Sequence, residues 1–270
     1  MRNNMNKSFK QTLCLVPLML SLLFAASCSA KETVALDAKD LPVAEKASVN
    51  TSIAVKGSVD AQYAALFEAA KEAVALGLEA NPRNFVAGQH YDEFTTRQAV
   101  TGPSDKIEVA EFFSYGCGHC FNSEPYMQAY AAQVQDDVNF VRIPVSFNPF
   151  FELLARGYYA AEALGAEEEA HIAIFDAIHI KRKDLSKPQA LANFYSGYGV
   201  DKEKFLKSLN SFSVNSMIER DKKLGQAYQI TGVPTIIVNG AYNTGGAKAG
   251  SFSAWFQILD VLIEKERAAQ

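Results

Sequence analysis

The hydrophobic pattern of this chain is clearest between residues 107 and 145. Ile107–Phe113 is mostly apolar and predicts a buried β-strand. Gly116 then breaks the pattern, and a helical stretch extends from Cys117 to about Gln135. The run Val138–Val145, rich in Val, Ile and Phe, predicts a second strand. Such a strand–helix–strand unit forms parallel sheets with right-handed crossovers, so we expect an α/β protein.

Further helices are predicted between residues 150 and 228, where no strand pattern occurs. Their predicted positions are Phe151–Leu164, Glu167–Ile180, a segment opened by Ser186 with capping-box spacing and closed near Gly197, a segment capped by Asp201, and Val214–Tyr228. Thr235–Asn239 and Ala241–Thr244 then flank Gly240 as an antiparallel hairpin. A C-terminal helix follows, with an apolar face formed by Phe252, Trp255, Phe256, Leu259, Leu262 and Ile263. The order is βαβ, a helical block and ββα, and the outer parts can share one sheet around the inserted block.

Residues 59–83 predict an amphipathic helix that precedes these elements. Asp60 is suited to cap its N-terminus, and Asn81-Pro82 is suited to end it. One stripe of this helix consists of Tyr63, Leu66, Phe67, Ala70, Val74 and Leu78. The apolar face can dock on the domain that follows or on a partner, and we favour docking on the domain.

The N-terminus predicts export. Arg2, Lys7 and Lys10 precede the uncharged apolar run Leu13–Ala26, which is short for a membrane span. Basic residues before such a run and small residues after it are typical of a signal peptide, here residues 1–27. An uncleaved N-terminal anchor is the alternative interpretation.

Two positions for cleavage of this signal are consistent with the sequence. Leu22–Cys28 is similar to a bacterial lipobox, in which Cys28 would carry a lipid, although Ala25 stands where that motif usually has Leu. The alternative is cleavage after Ala30, which would give a soluble protein. Residues 28–58 have no periodic pattern and are suited to a flexible tether, which favours the lipid anchor.

The net charge and the cysteine content limit the classes of function that this protein can have. A formal net charge of −4 argues against a nucleic-acid partner, which would require a basic face. Of the four cysteines, only Cys117 and Cys120 lie in the predicted domain. A single pair three residues apart restrains little chain, so this pair is expected to serve chemistry and not stability.

The placement of the pair at the start of a helix predicts different roles for the two sulfurs. Cys117 meets the unpaired N–H groups and the positive end of the helix dipole, which favour its thiolate. Cys120 lies one turn further in and would act as the resolving thiol. His119 can add positive charge beside the thiolate, or it can be an ordinary solvated residue.

A zinc site is the competing interpretation of the two cysteines. A structural zinc site needs four ligands, and the chain has no second cysteine pair and no histidines at a matching spacing. We therefore expect no metal, and no cofactor other than a redox-active Cys117–Cys120 disulfide.

Glu111 is a second candidate for the chemistry. By strand alternation it shares a face with Val109 and Phe113, so its carboxyl is expected to be buried. A buried carboxyl near Cys120 would have a raised pKa and could relay the proton of that thiol. The alternative is a glutamate at the strand end that reaches solvent.

Two motifs connect these residues to a known family. The run Glu111–Cys120, with the sequence EFFSYGCGHC, resembles the active-site strand and helix of bacterial DsbA proteins in the thioredoxin superfamily. Pro125 matches a helix-kinking proline of thioredoxin folds, and Gly232-Val233-Pro234 is similar to the cis-proline loop. The resemblance implies a thioredoxin-like fold at 84–149 and 229–268, with an inserted helical domain at 150–228.

The resemblance also implies how the protein would work. Pro234 would be cis and face the cysteines, and the Val233 backbone would pair with a substrate strand. The implied substrates are reduced, unfolded exported polypeptides in the periplasm, with a DsbB-like membrane quinone enzyme as the oxidant. Gly118 departs from the family, which usually has Pro before the His, and matches protein disulfide isomerases. A reductase or isomerase, or a chaperone-like binding protein, therefore remain alternatives to a dithiol oxidase.

Overall fold

A computed structural model of the chain describes residues 61–79 and 84–270. Its elements, in chain order, are α1 (Ala61–Glu79), β1 (Asp92–Glu93), β2 (Ile107–Phe113), α2 (Gly118–Ala131), β3 (Val138–Pro144), α3 (Pro149–Ala163), α4 (Glu167–His179), α5 (Pro188–Ser196), α6 (Lys202–Leu209), α7 (Phe212–Ala227), β4 (Thr235–Val238), β5 (Tyr242–Thr244), α8 (Gly246–Ala249) and α9 (Phe252–Ala269). The predicted order of strands and helices is confirmed. The sequence pattern did not predict β1 or α8, and α2 ends earlier than predicted.

The described strands form one mixed sheet in the order β1-β5-β4-β2-β3. Strand β2 runs parallel to β3, from Ile107 beside Val138 to Phe113 beside Pro144. On its other side β2 pairs antiparallel with β4, which pairs antiparallel with β5. All residues of β2 are buried, because the strand lies between β4 and β3 and both faces of it are covered. The strand that leads into the cysteine pair is therefore held rigidly.

Helices α3 to α7 follow β3 and precede β4, and they share an apolar core of their own. Its large buried side chains include Leu154, Phe175, Leu191, Tyr195, Phe205 and Ile218. This core continues without a break onto Phe113, Tyr115 and Cys120, at the end of β2 and the start of α2. The inserted helices thus cover the region around the cysteines directly.

Two predicted helix caps have different outcomes. The Asp201 side chain accepts a hydrogen bond from the backbone N–H of Lys204, as predicted for an N-cap of α6. The capping box at Ser186 was wrong, because α5 begins at Pro188 with Lys187 as its N-cap and has no side-chain cap. Proline at the first helical position supplies the required φ and lacks the N–H that a cap would satisfy.

Helix α1 docks on the domain, where it packs against α2 and α9. Ala70 and Val74 are fully buried in the cluster that also contains Trp255 and Phe256 of α9. Leu66 is 50% exposed, so this member of the predicted apolar stripe was assigned to the wrong face.

Several predictions fall outside the described residues. They concern the export signal at 1–27, the tether at 28–58 with Cys28, the cap Asp60 and the stop Asn81-Pro82, as well as the side chains of Tyr63 and Leu78. Within 61–79 and 84–270, no helix combines the length and the apolar character that a bilayer crossing requires.

Candidate active site

Cys117 is the N-cap residue of α2, in an extended conformation with φ −93° and ψ 119°. Its backbone N–H donates to the Ser114 carbonyl at 3.0 Å, which closes the turn between β2 and α2. Gly116 is required in this turn, because a Cβ atom there would come within 2.7 Å of the Phe151 ring. Cys120 lies one turn further along α2 and is completely buried.

The two thiols have opposite electrostatic environments. A hydrogen bond from the Cys120 thiol, followed by the backbone N–H groups of Cys120 and His119 and the His119 charge, lowers the pKa of Cys117 to about 6. Burial, together with the neighbouring Cys117 sulfur, raises the pKa of Cys120 far above that of an ordinary thiol. His119 itself is exposed. At neutral pH the arrangement therefore supports a thiolate at Cys117 and a protonated thiol at Cys120.

The loop before β4 lies against Cys117. The Val233–Pro234 peptide bond is cis, as the family resemblance implies. The Cys117 Sγ lies 3.4 Å from the carbonyl oxygen of Val233, a distance at which the protonated thiol can donate a hydrogen bond to it. The structure thus brings Cys117 beside the adjacent residues Val233 and Pro234, which follow it by more than a hundred positions in the sequence.

Glu111 is fully buried, so the expectation of a buried carboxyl is confirmed and the solvent-reaching alternative was wrong. Burial and the nearby Glu124 carboxylate raise the pKa of Glu111 to about 8. Glu111 also raises the pKa of Cys120, so the two groups lie within electrostatic range of each other. A carboxyl of this kind can exchange a proton near neutral pH.

Four charged residues that the sequence analysis did not single out surround Glu111. The Arg142 guanidinium lies 3.4 Å from Glu111 and 3.0 Å from Glu124. His171 lies 2.9 Å from Glu124 through Nε2 and 3.0 Å from Glu167 through Nδ1. We call Glu111, Glu124, Arg142, His171 and Glu167 the buried ionic cluster. The sequence carried no pattern that indicated that these residues meet.

The inserted helices also contact the active-site turn directly. The His179 Nε2–H donates to the Tyr115 carbonyl at 2.8 Å, two residues before Cys117. The Tyr115 hydroxyl in turn lies 2.8 Å from Nδ1 of His171. Two histidines of α4 therefore hold the segment that leads into the cysteine pair.

Comparison with known proteins agrees with this geometry. The model of the DSBA-like thioredoxin domain matches residues 108–255, which is more than half of the chain. The thiol:disulfide interchange protein DsbA of Pseudomonas aeruginosa is 42% identical over 193 residues, which cover 72% of this chain and 91% of that protein. The chain belongs to the DsbA family. The DsbA of Azotobacter vinelandii is 43% identical over 199 residues, covering 73% of this chain and 92% of that one.

Solved structures of DsbA proteins confirm the predicted thioredoxin-like fold. The crystal structure of Pseudomonas aeruginosa DsbA matches with a TM-score of 0.67 and 42% identity, over 70% of this chain and 98% of that one. DsbA from Xylella fastidiosa matches with a TM-score of 0.65 and 33% identity, over 69% and 100% of the two chains. This DsbA-family protein is a thiol–disulfide oxidoreductase, as the cysteine pair predicted.

Proposed function

We propose that this DsbA-family protein oxidises dithiols of exported polypeptides to disulfides, and that Cys117 is the sulfur exchanged with the substrate. The contrast between the stabilised Cys117 thiolate and the buried Cys120 thiol carries the proposal. Stabilising the thiolate stabilises the reduced protein, which makes its disulfide more oxidising. Transfer of the disulfide from this protein to a substrate dithiol is therefore favoured.

The reaction transfers one disulfide in two exchange steps. A substrate thiolate attacks the Cys117 sulfur, so that the Cys117–Cys120 bond breaks and a mixed disulfide forms. Cys120 leaves as a thiolate and takes up a proton. The second substrate thiolate then attacks the substrate sulfur of the mixed disulfide and releases the Cys117 thiolate. Two electrons have moved from the substrate dithiol to the protein.

Glu111 is the proposed proton donor to Cys120. Its buried carboxyl, with a pKa raised to about 8 by burial and by Glu124, holds a proton at neutral pH. A thiolate created in the apolar surroundings of Cys120 is costly, so protonation favours its departure. In the reverse direction, reoxidation, the Glu111 carboxylate would accept the same proton.

The loop at Val233 and Pro234 is the proposed substrate-binding edge. Its position beside Cys117 supports pairing between the Val233 backbone and an extended substrate segment. Hydrogen bonds between main chains do not depend on side-chain identity, so this mode of binding suits reduced, unfolded polypeptides of varied sequence. The exposed His119 side chain would add positive charge beside the reacting Cys117 sulfur.

Location and reoxidation complete the proposal. The basic and apolar N-terminus supports export to the periplasm, and the lipobox-like sequence supports a lipid anchor at Cys28. A DsbB-like membrane quinone enzyme would restore the disulfide by accepting two electrons. Mass analysis of the mature N-terminus would distinguish a lipidated Cys28 from cleavage after Ala30.

The reduction potential of the Cys117–Cys120 pair tests the direction of the reaction. We expect a value well above that of thioredoxin, about −270 mV, and a value near it would overturn the oxidase assignment. Gly118 favours the isomerase or reductase as the second candidate, because protein disulfide isomerases carry the same Gly-His pair. A Cys120→Ala variant should trap exported substrates as mixed disulfides, whereas the matched Cys117→Ala variant should trap none.

A further inference from the structure

Two fully buried carboxyls share a single guanidinium beneath the cysteine pair. Arg142 Nε lies 3.4 Å from Glu111 Oε2, and Arg142 Nη2 lies 3.0 Å from Glu124 Oε1. Two ionised carboxylates would leave an excess negative charge beside one guanidinium, on residues that are fully buried. Groups so close titrate as a pair, and one of them holds the proton near neutral pH. Arg142 alone does not decide which one, because it contacts both.

His171 distinguishes between the two carboxyls. Its Nε2 lies 2.9 Å from Glu124 Oε1, and it forms no ion pair with Glu111. Its Nδ1 lies 3.0 Å from Glu167, whose side chain is 20% exposed. Burial acts to lower the pKa of His171, but the attraction of Glu124 and Glu167 outweighs burial and raises it to about 9. The His171 imidazolium is therefore a second positive charge, after Arg142, that lies beside the Glu124 carboxylate.

The titratable and charged groups around His171 and its partner Glu167 come from several elements. Glu111 of β2, Tyr115 of the active-site turn, Glu124 of α2, Arg142 of β3 and Glu167 of its own helix α4 act on His171, and Tyr158 of α3 and Tyr195 of α5 interact with Glu167. Burial raises the pKa of the three tyrosines, which stay neutral across the relevant range. The protonation of the carboxyls is thus governed by the two cations.

We propose that His171 is a positioning residue, held between Glu124 and Glu167, that fixes the negative charge on Glu124 and leaves the shared proton on Glu111. This inference rests on the proposed proton transfer from Glu111 to Cys120. Glu124 lies one turn beyond Cys120 on the same helix, so a proton that moved to Glu124 would leave Glu111 with none to give. Helix α4 of the inserted domain thereby sets the protonation of a residue of the thioredoxin-like sheet.

Nuclear magnetic resonance of the purified protein tests the proposal without a substitution at His171. Ring nitrogen shifts should show His171 doubly protonated at about pH 7.5, as its ion pairs require. Carboxyl carbon shifts, assigned with Glu111→Gln and Glu124→Gln, should show Glu111 titrating near pH 8 and Glu124 ionised throughout. A neutral His171 ring, or titration of Glu124 together with Glu111, would overturn the proposal.

The His171→Gln variant should let the proton spread over both carboxyls. We expect the proton occupancy of Glu111 at neutral pH to fall to roughly half, with Glu124 titrating at the same midpoint. Glu167→Gln should shift the occupancy in the same direction, and it removes only the negative charge of a partly exposed side chain. The matched control His90→Gln, at a histidine outside the cluster, should leave both titrations unchanged.

The two proposals can fail separately. If Glu111→Gln leaves the pH dependence of thiol exchange unchanged, the role of Glu111 as proton donor is wrong, whatever its titration shows. If Glu111 titrates alone in both His171→Gln and Glu167→Gln, the role of His171 is wrong, whatever the kinetics show.

Discussion

The His179 ring stacks on the Phe121 ring, with 5.0 Å between the ring centroids and 19° between the planes. Phe121 directly follows Cys120, and His179 ends helix α4 of the inserted domain. The same histidine donates through Nε2 to the Tyr115 carbonyl. One side chain therefore joins the inserted helices to both sides of the cysteine pair.

Removing the His179 side chain should lower the stability of the folded protein by a measurable amount. We expect His179→Ala to lower the free energy of unfolding by about 1–3 kcal/mol, since a hydrogen bond and a ring pair are both lost. His179→Phe keeps a ring and should recover the part that stacking contributes. Urea unfolding of the reduced protein measures both variants. Equal losses in the two would argue that the stacked ring contributes nothing.

The stability of the reduced protein should depend on pH through Cys117. The pKa of this thiol is about 6 in the folded protein, against an ordinary value of 9.0, mainly because Cys120 donates a hydrogen bond to it. The unfolded chain then binds more protons than the folded one between these values, so stability rises with pH across that window. The disulfide form has no such thiol. Unfolding of both forms should show a reduced-form advantage that grows from about pH 6 to 9 and is lost as the pH falls below 6; a constant difference would contradict it.

Glu111→Gln should change the pH profile of disulfide reduction by a dithiol peptide. The wild-type carboxyl, whose pKa is about 8, donates a proton below that pH and cannot do so above it. We expect the variant to react on the order of a hundredfold more slowly near pH 7 and to approach the wild-type rate above pH 9. Glu108→Gln, a buried glutamate on the same strand, is the control. A rate ratio that is flat with pH would exclude Glu111 as the donor.

The two glycines beside Cys117 should respond differently to substitution. In Gly116→Ala the new Cβ would lie 2.7 Å from the Phe151 ring and 3.0 Å from the Phe150 ring, and we expect a loss of about 1–3 kcal/mol in unfolding free energy. In Gly118→Ala the Cβ meets no atom within 4 Å, so the better helix former should add up to about 1 kcal/mol. Denaturant titrations of the disulfide form compare the two, and equal effects would rule out the steric explanation.

The docking of α1 can be tested on the helix itself. Val74→Asp places a charge against α2 and α9 without a partner and should cost about 3 kcal/mol or more. Leu66→Asp, at a half-exposed position of the same helix, should change stability by no more than about 0.5 kcal/mol. Limited proteolysis with mass mapping should show cleavage within α1 only in Val74→Asp. Protection of α1 in both variants would mean that this contact does not hold the helix.

The elements that the sequence predicted well are those with a local cause. Ile107–Phe113 is marked by its apolar run, and the start of α6 by Asp201, whose side chain caps the helix within three residues. The cysteine pair is likewise recognisable from its position between a strand and a helix. In each case the residues that determine the structure are neighbours in the chain.

The features that the sequence did not predict depend on distant contacts. The buried ionic cluster draws on β2, β3, α2 and α4, so no single window of sequence contains it. The two-residue strand β1 exists only because β5 pairs with it. Leu66 fits the helical stripe of α1, but it is half exposed because the surface on which α1 packs does not extend to it.

The buried ionic cluster also constrains how this protein can change over evolutionary time. With Glu111 protonated, the charges of Arg142 and His171 balance those of Glu124 and Glu167, and the cluster is neutral as a whole. Losing one member would strand an unpaired charge in the interior. Viable homologues should therefore exchange these positions in compensating pairs, a cation together with an anion, across the boundary between the inserted helices and the thioredoxin-like sheet. Substitutions at these positions in the inserted helices and in the thioredoxin-like sheet would then be correlated, although the residues concerned are far apart in the sequence.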